Sequence, residues 1–157
     1  MGVSGSGKTT VGVRLADVLG VEYAEGDDFH PSANVAKMAA GTPLDDADRA
    51  PWLDALAAWM AERSGRGAVV TCSALKRIYR HRLRASAPDA FFLHLNVPRT
   101  ELERRVAGRR GHFMPPILLD SQLATLEPLD SGENGSTVDA ARPPEEVVRQ
   151  AVAALDR

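Results

Sequence analysis

The amino-terminal residues carry a pattern that binds phosphate. Residues 2–9 read GVSGSGKT and satisfy the motif G-x-x-x-x-G-K-[ST], whose backbone amides and following helix N-terminus converge on phosphate oxygens. In such loops the lysine, here Lys8, contacts the β- and γ-phosphates, and the hydroxyl of Thr9 binds Mg²⁺. The pattern therefore predicts that a nucleoside triphosphate binds through Gly2, Val3, Ser4, Gly5, Ser6, Gly7, Lys8, Thr9 and Thr10.

Other motifs separate the classes of nucleotide-binding protein. A nucleotide switch or a mechanical ATPase would show an apolar strand that ends in Asp, whereas the apolar strand predicted at 68–72 runs into Thr71, Cys72 and Ser73. The DxxG string at 17–20 falls on the first predicted helix, and the sequence has no N-K-x-D guanine motif. These observations favour a small-molecule kinase.

Composition limits the size and the partners of the protein. The 157 residues are 44% hydrophobic and 25% charged, which is typical of one globular domain. Nineteen basic against 21 acidic side chains give a net charge of −2, too little positive charge for a nucleic-acid partner. Because one cysteine cannot form an internal disulfide and no apolar run could span a bilayer, we expect a cytoplasmic protein without a membrane partner.

Strand and helix patterns alternate, which predicts an α/β fold on a parallel sheet. We expect a helical insert at about 30–64, a lid at about 105–120 and a mobile polar loop at 128–136. Strands are predicted at 21–26, 67–72, 90–97 and, weakly, 136–139; helices are predicted from Lys8, Ser32, Pro51, Leu75, Thr100, Ile117 and Pro143.

The strand that should precede the phosphate loop is missing. A phosphate loop normally leaves a buried strand, yet Met1 directly precedes Gly2. Either the numbering begins downstream of the natural start, or the sheet lacks a strand that its neighbours would need for hydrogen bonding. We favour the first alternative and expect the natural chain to begin upstream of Met1.

Asp27 is the candidate for chemistry on the acceptor. It follows the second predicted strand, and ligands of open α/β sheets collect beyond the carboxyl ends of the strands. Asp27 could accept a hydrogen bond from an acceptor hydroxyl, act as a base or hold a magnesium-bound water; the alternative is a turn cap. His30 could donate to a hydroxyl or carboxylate, or be structural.

An arginine-rich helix is the candidate lid. Arg104, Arg105, Arg109 and Arg110 crowd one short segment, and Arg105 and Arg109 share a helical face, so both can reach one polyphosphate. The alternative is a solvated basic face. In a kinase these arginines would stabilise charge on the transferring phosphoryl group and exclude water.

A series of short motifs follows in order along the chain: the phosphate loop, Gly26-Asp27-x-x-His30-Pro31, Lys37-Met38, Gly41-x-Pro43-Leu44-x-Asp46, Asp48-Arg49-x-Pro51-Trp52-Leu53, Cys72-Ser73-Ala74-Leu75-Lys76, Tyr79-Arg80, Gly111-His112-Phe113 and Ser121-Gln122. With these motifs the sequence resembles the gluconate kinases. This resemblance implies a three-layer, nucleoside-monophosphate-kinase-like P-loop fold, commonly a homodimer, which phosphorylates D-gluconate at its 6-hydroxyl with ATP.

The resemblance also implies roles for single residues. Gly5, Gly7, Lys8 and Thr9 would contact ATP and Mg²⁺, while Arg105 and Arg109 would lie in the lid. Asp27 matches the acceptor-side acid, and Arg49 a position similar to the substrate arginine of related shikimate kinases.

Gluconate offers a carboxylate and five hydroxyls, so its pocket needs cations at one end and acceptors at the other. The candidate cations are Arg49, Lys76, Arg80 and His112; Ser73 and Gln122 are weaker candidates for contact, with a structural role equally open. Two alternative functions remain: a kinase for another hydroxy acid or a nucleotide, and a nucleotide-binding regulator without turnover.

Overall fold

Strands and helices alternate from one end of the chain to the other in the computed structural model, which describes residues 1–108 and 117–156. The strands are β1 (Glu22–Glu25), β2 (Ala68–Thr71), β3 (Phe92–Asn96) and β4 (Gly135–Asp139). The helices are α1 (Lys8–Leu19), α2 (Ser32–Ala39), α3 (Asp46–Ala61), α4 (Arg77–Ser86), α5 (Arg99–Ala107), α6 (Leu118–Thr125) and α7 (Pro144–Leu155), and a 3₁₀ turn covers Gly26–Phe29.

The strands form two parallel pairs. β1 pairs with β2, which places Tyr23 opposite Val69, and β3 pairs with β4, which places His94 opposite Thr137. No ladder between β2 and β3 is found among the described residues. The predicted parallel pairing is confirmed, and the described strands form two separate pairs.

Helices cover both faces of the strands. On one face, α1 and α7 pack against each other and share a core with β3 and β4 that includes Leu15, Leu95 and Val147. On the other face, α3 packs on α4 around Leu56 and Leu83. The result is the expected three-layer arrangement, in which apolar faces of helices are buried against strands.

Helix α3 begins earlier than the sequence pattern indicated. The prediction placed its start at Pro51, but the helix begins at Asp46. The carboxylate of Asp45 accepts the Asp48 N–H at 2.8 Å, and the carboxylate of Asp48 accepts the Asp45 N–H at 2.9 Å. This reciprocal capping box satisfies two helix-start amides, so the cap rather than the proline sets the boundary.

The described helices are all too short or too polar to cross a membrane.

Candidate active site

The phosphate loop leads into α1 through a left-handed glycine. Gly7 has φ of 93°, a conformation that side chains with a Cβ rarely adopt. In the described part of the chain no side chain caps this helix start, so its amides stay available to an anion. The Lys8 Nζ lies beside the loop and donates to the Val3 carbonyl oxygen at 3.0 Å.

Glu25 is the site residue that the sequence interpretation missed. It is the last residue of β1, and its Oε2 accepts the Thr9 hydroxyl at 2.6 Å and the Tyr23 hydroxyl at 2.8 Å. Its Oε1 accepts the Thr71 hydroxyl. Burial alone would raise the pKa of Glu25, but the three hydroxyl donors outweigh burial and lower it. A carboxylate therefore contacts the hydroxyl that is predicted to bind Mg²⁺.

Asp27 lies on the turn that follows β1. Its side chain lines a pocket together with Lys8, Thr9 and Glu25. The turn runs directly against β2: a Cβ atom added at Gly26 would lie only 1.7 Å from the Thr71 carbonyl oxygen. The glycine in the Gly-Asp pair thus permits a close approach of this turn to the end of β2.

His30 enters the same pocket as a neutral ring. It stacks on Trp52 with 4.3 Å between ring centroids. Burial, followed by the charge of Arg49, lowers the His30 pKa to about 4. Its Nδ1 lies 3.3 Å from the Asn34 amide nitrogen, which also donates to the Asp48 carbonyl oxygen at 2.8 Å. Since an amide NH₂ can only donate, Nδ1 accepts, and Nε2 of the neutral ring carries the proton that a ligand could accept.

The free energy of unfolding is expected to fall as pH decreases from about 6.5 to about 4. Burial lowers the pKa of His94, like that of His30, to about 4, so in this window the unfolded chain binds more protons than the folded chain. Urea unfolding between pH 5 and 6.5 should show a smaller pH slope in His30→Gln and in His94→Gln, by up to about 1.4 kcal/mol per pH unit each. Slopes identical to that of the parent chain would contradict the buried, neutral state of these rings.

Of the predicted substrate-binding cations that the structure describes, Arg49 is the one that lines the pocket. It is 9% exposed, lies with its guanidinium carbon 5.5 Å from the centroid of the Tyr79 ring, and donates to the Tyr79 hydroxyl at 3.2 Å. Tyr79 in turn donates to Asp46, which accepts from Lys76 Nζ at 2.8 Å. The network orients Arg49 toward the pocket, whereas Lys76 is held by Asp46 and is not among the pocket-lining residues.

The expectation that Arg80 binds substrate is wrong. Its side chain is fully buried and forms a two-pronged ion pair with Glu133, at 2.6 and 2.8 Å. Its guanidinium also donates to carbonyl oxygens of Ala74, Leu75, Glu127 and Pro128. A buried guanidinium requires a compensating carboxylate, and Glu133 supplies it here. The polar loop at 128–136, which was predicted to be mobile, is therefore anchored to the core through Glu133.

Other predicted residues line the pocket or lie beside the phosphate loop. Ser73 and Gln122 both line it, and Gln122 Oε1 accepts the Ser4 N–H at 2.6 Å, which ties α6 to the phosphate loop. Arg105 also lies beside the loop, where its Nη1 is 3.5 Å from the Gly5 carbonyl oxygen. Arg109 and His112 lie outside the described residues.

The donor set suits a magnesium ion that also binds phosphate. Thr9, Glu25 and Asp27 bring hydroxyl and carboxylate oxygens to one pocket, and Mg²⁺ binds through one or two carboxylates together with substrate phosphates and waters. Within residues 1–108 and 117–156, no cluster of three or more acidic, histidine or cysteine side chains could hold a metal by itself. The residues present thus fit an ion that arrives with a nucleotide.

The sequence of this chain is similar to those of known proteins. A family model described as an AAA domain matches residues 1–129. The gluconokinase of Gluconobacter oxydans is 49% identical over 154 residues, which cover 97% of this chain and 86% of that protein.

Two solved structures resemble the chain over nearly its whole length. A sugar kinase from a Janibacter species is 50% identical to this chain, with a TM-score of 0.94. The match covers 99% of this chain and 91% of the sugar kinase. A gluconokinase from Sinorhizobium meliloti is 48% identical, with a TM-score of 0.87. That match covers 100% of this chain and 89% of the gluconokinase. The predicted P-loop kinase fold is confirmed.

Proposed function

This chain belongs to the gluconokinase family, and we propose that it transfers the γ-phosphoryl group of ATP to the 6-hydroxyl of D-gluconate. The observation that carries the proposal is one pocket lined by Lys8, Asp27 and Arg49. Phosphoryl transfer to a sugar acid requires a cation for the phosphates of the donor and a carboxylate for the acceptor hydroxyl. It also requires a second cation for the carboxylate of the substrate.

Binding of the acid is assigned to the α2 and α3 side of the pocket. Arg49 offers a guanidinium to the gluconate carboxylate, because such pairs form two parallel hydrogen bonds. His30 donates from Nε2 to a substrate oxygen, and its stacking on Trp52 fixes the direction of that bond. These contacts aim the far end of the sugar acid at Asp27.

Asp27 orients the acceptor hydroxyl and takes its proton as the oxygen attacks phosphorus. The transition state of phosphoryl transfer is loose, so positioning contributes more than the strength of the base. Lys8 and the amides at the start of α1 stabilise negative charge on the phosphates. Arg105, beside Gly5, extends that positive field, and the segment at 105–120 is proposed as the lid that excludes water.

Magnesium is proposed to be held at Thr9, with Glu25 and Asp27 next to it, directly or through water. When bound, Mg²⁺ neutralises charge on the β- and γ-phosphates. Glu25 keeps the Thr9 hydroxyl oriented by accepting its hydrogen bond, and remains anionic because its pKa is lowered.

A panel of acceptors tests the proposed function. ADP formation from MgATP would be measured with D-gluconate, other sugar acids, shikimate and nucleoside monophosphates, and without any acceptor. We expect D-gluconate to give the highest kcat/KM. Preference for shikimate or a nucleotide would reassign the acceptor, and ATP binding without turnover on any acceptor would indicate a regulator.

Arg49→Ala is expected to raise the KM for D-gluconate about 10- to 100-fold with a smaller change in kcat, because a charged hydrogen bond to the acid is lost in ground state and transition state alike. Steady-state kinetics with gluconate as the varied substrate measure this effect. Arg82→Ala is the matched control, since Arg82 is exposed and pairs with Asp54 on the surface. An unchanged KM in Arg49→Ala would remove Arg49 from the acid site.

Glu25→Gln is expected to raise the Mg²⁺ concentration for half-maximal activity at least about 10-fold, as losses of residues that orient metal ligands do. The control is Glu22→Gln on the same strand, where the carboxylate is exposed and pairs with Arg63. Identical Mg²⁺ dependence of the two variants would contradict a role of Glu25 at the metal.

A further inference from the structure

Asn34 is a buried polar residue next to the substrate side of the pocket, and the sequence motifs did not single it out. It lies on α2 and is 5% exposed. A buried amide needs hydrogen-bond partners, because burial without them costs free energy. Its partners are the His30 ring, which lines the pocket, and the Asp48 carbonyl oxygen near the start of α3. Asn34 therefore connects α3 to a ring that faces the substrate.

The backbone of α3 fixes the orientation of the Asn34 amide. Its Nδ2 lies 2.8 Å from the Asp48 carbonyl oxygen, and a carbonyl oxygen can only accept. The part of the amide that faces α3 is therefore the NH₂ group and not the oxygen, an assignment that depends on such unambiguous partners. One hydrogen of this NH₂ group is used by Asp48, and the other is directed to His30 Nδ1, 3.3 Å from Nδ2.

The Asp48 carbonyl is held in place by the cap of α3. The Asp48 carboxylate accepts the Asp45 N–H, and the Asp48 N–H donates to the Asp45 carboxylate. The same Asp48 carboxylate pairs with Lys37 Nζ at 2.5 Å, and Lys37 lies on α2 one turn after Asn34. Asn34 thus takes its orientation from a capped helix start that is joined to its own helix by an ion pair.

We propose that Asn34 is a positioning residue: it fixes His30 in the tautomer that carries its proton on Nε2, and so makes His30 a hydrogen-bond donor to the substrate. This rests on the proposed function, in which His30 contacts an oxygen of the sugar acid. In a neutral imidazole one nitrogen donates and the other accepts, so the bond at Nδ1 determines the role of Nε2. The opposite tautomer would present a lone pair at Nε2 and repel a carboxylate oxygen.

The His30 ring is also fixed in its plane, as a donor at a defined place requires. It stacks on Trp52 with 14° between the ring planes. Trp52 is 1% exposed, and its indole N–H donates to the Gly26 carbonyl oxygen at 2.8 Å. The stacking holds the plane of the ring, and the bond to Asn34 selects which of the two ring orientations within that plane is adopted.

The consequence is a substrate side that offers donors to the acid. Arg49 lines the same pocket, and a guanidinium has no acceptor. With Nε2 protonated, His30 adds a second donor that carries no net charge. The two groups together favour an oxygen-rich, anionic end of the substrate, because carboxylate and hydroxyl oxygens can accept both bonds.

The first test observes the His30 ring by ¹⁵N–¹H NMR of the chain without substrate at pH 7. The His30 signals are identified by their loss in His30→Gln. We expect a protonated Nε2 and an unprotonated Nδ1 in the parent chain, and a protonated Nδ1 in Asn34→Asp, where a carboxyl oxygen faces the ring. Ala33→Asp is the matched control: it adds a carboxyl group at an exposed neighbour on α2 and should keep the parent pattern.

The second test separates positioning from a general loss of structure. Asn34→Leu removes the donor but keeps a side chain of similar volume. We expect the KM for D-gluconate to rise about 3- to 10-fold, as for the loss of one neutral hydrogen bond. The values of kcat and of the KM for ATP should change less than about 2-fold, because the bond is made to one substrate in ground state and transition state alike.

A protonated Nδ1 in the parent chain, or an unprotonated Nδ1 in Asn34→Asp, would overturn the proposal. If Asn34→Asp does not fold, the ring is measured in Asn34→Leu, where the Nδ1 signal should move toward its protonated position and an unchanged signal would overturn the proposal. An equal rise of both KM values in Asn34→Leu would indicate a purely structural residue. Because the NMR measurements need no substrate, they decide the role of Asn34 even if the acceptor panel excludes D-gluconate.

Discussion

Asp27→Asn is expected to lower kcat for D-gluconate by about 10²- to 10⁴-fold, the usual contribution of a positioned general base, while the affinity for ATP changes little. The amide still fills the space beside Lys8 in the pocket but can no longer take the proton of the attacking hydroxyl. Steady-state kinetics and equilibrium binding of a fluorescent ATP analogue separate the two effects.

Asp28→Asn is the matched control for this experiment. Asp28 lies on the same 3₁₀ turn, is exposed, and does not line the pocket, so its variant should retain nearly full turnover. Near-normal kcat in Asp27→Asn would remove Asp27 from the mechanism. A parallel loss of ATP affinity and turnover would instead assign Asp27 to the metal alone.

Arg80→Met is expected to lower the free energy of unfolding by about 3–5 kcal/mol, because it leaves the buried Glu133 carboxylate without its partner. Four backbone carbonyl oxygens also lose the hydrogen bonds that the Arg80 guanidinium donates to them. Urea unfolding at pH 7 measures the loss. Arg77→Met on the same helix is the control, since its ion pair with Asp130 is exposed and such pairs contribute at most about 1 kcal/mol.

The double variant Arg80→Met with Glu133→Met distinguishes ion-pair loss from simple loss of packing. Replacing both partners removes the unpaired charge, so part of the lost stability should return. The KM of folded Arg80→Met for gluconate should stay near the parent value. A loss below about 1 kcal/mol in the single variant, or a large rise in KM, would contradict the anchoring role.

Local patterns were sufficient for much of the fold. Helix α1 ends before Gly20, whose φ of 65° matches the predicted stop, because a left-handed glycine is a local signal. Strand β4 was a weak prediction, yet it forms at Gly135–Asp139. The boundary of α3 failed, since its capping box competed with a proline that is also typical of helix starts.

The candidate site was predictable where one segment carries the signal. Asp27 follows directly from its position after a strand, and Lys8 follows from the loop motif. Glu25 was missed because its partners Thr9 and Thr71 come from two other segments of the chain. The burial of Arg80 depends on its ion pair with Glu133, which lies 53 residues further along the chain. At that separation the spacing of two residues in the sequence does not predict whether they are in contact.

The most direct measurement is identification of the product formed from D-gluconate and MgATP by ³¹P and ¹³C NMR, alongside a reaction without acceptor. We expect a single phosphomonoester on the C6 oxygen, formed in step with ADP, and little hydrolysis of ATP alone. Phosphate on another hydroxyl, or ADP released equally fast without gluconate, would contradict transfer directed by Asp27.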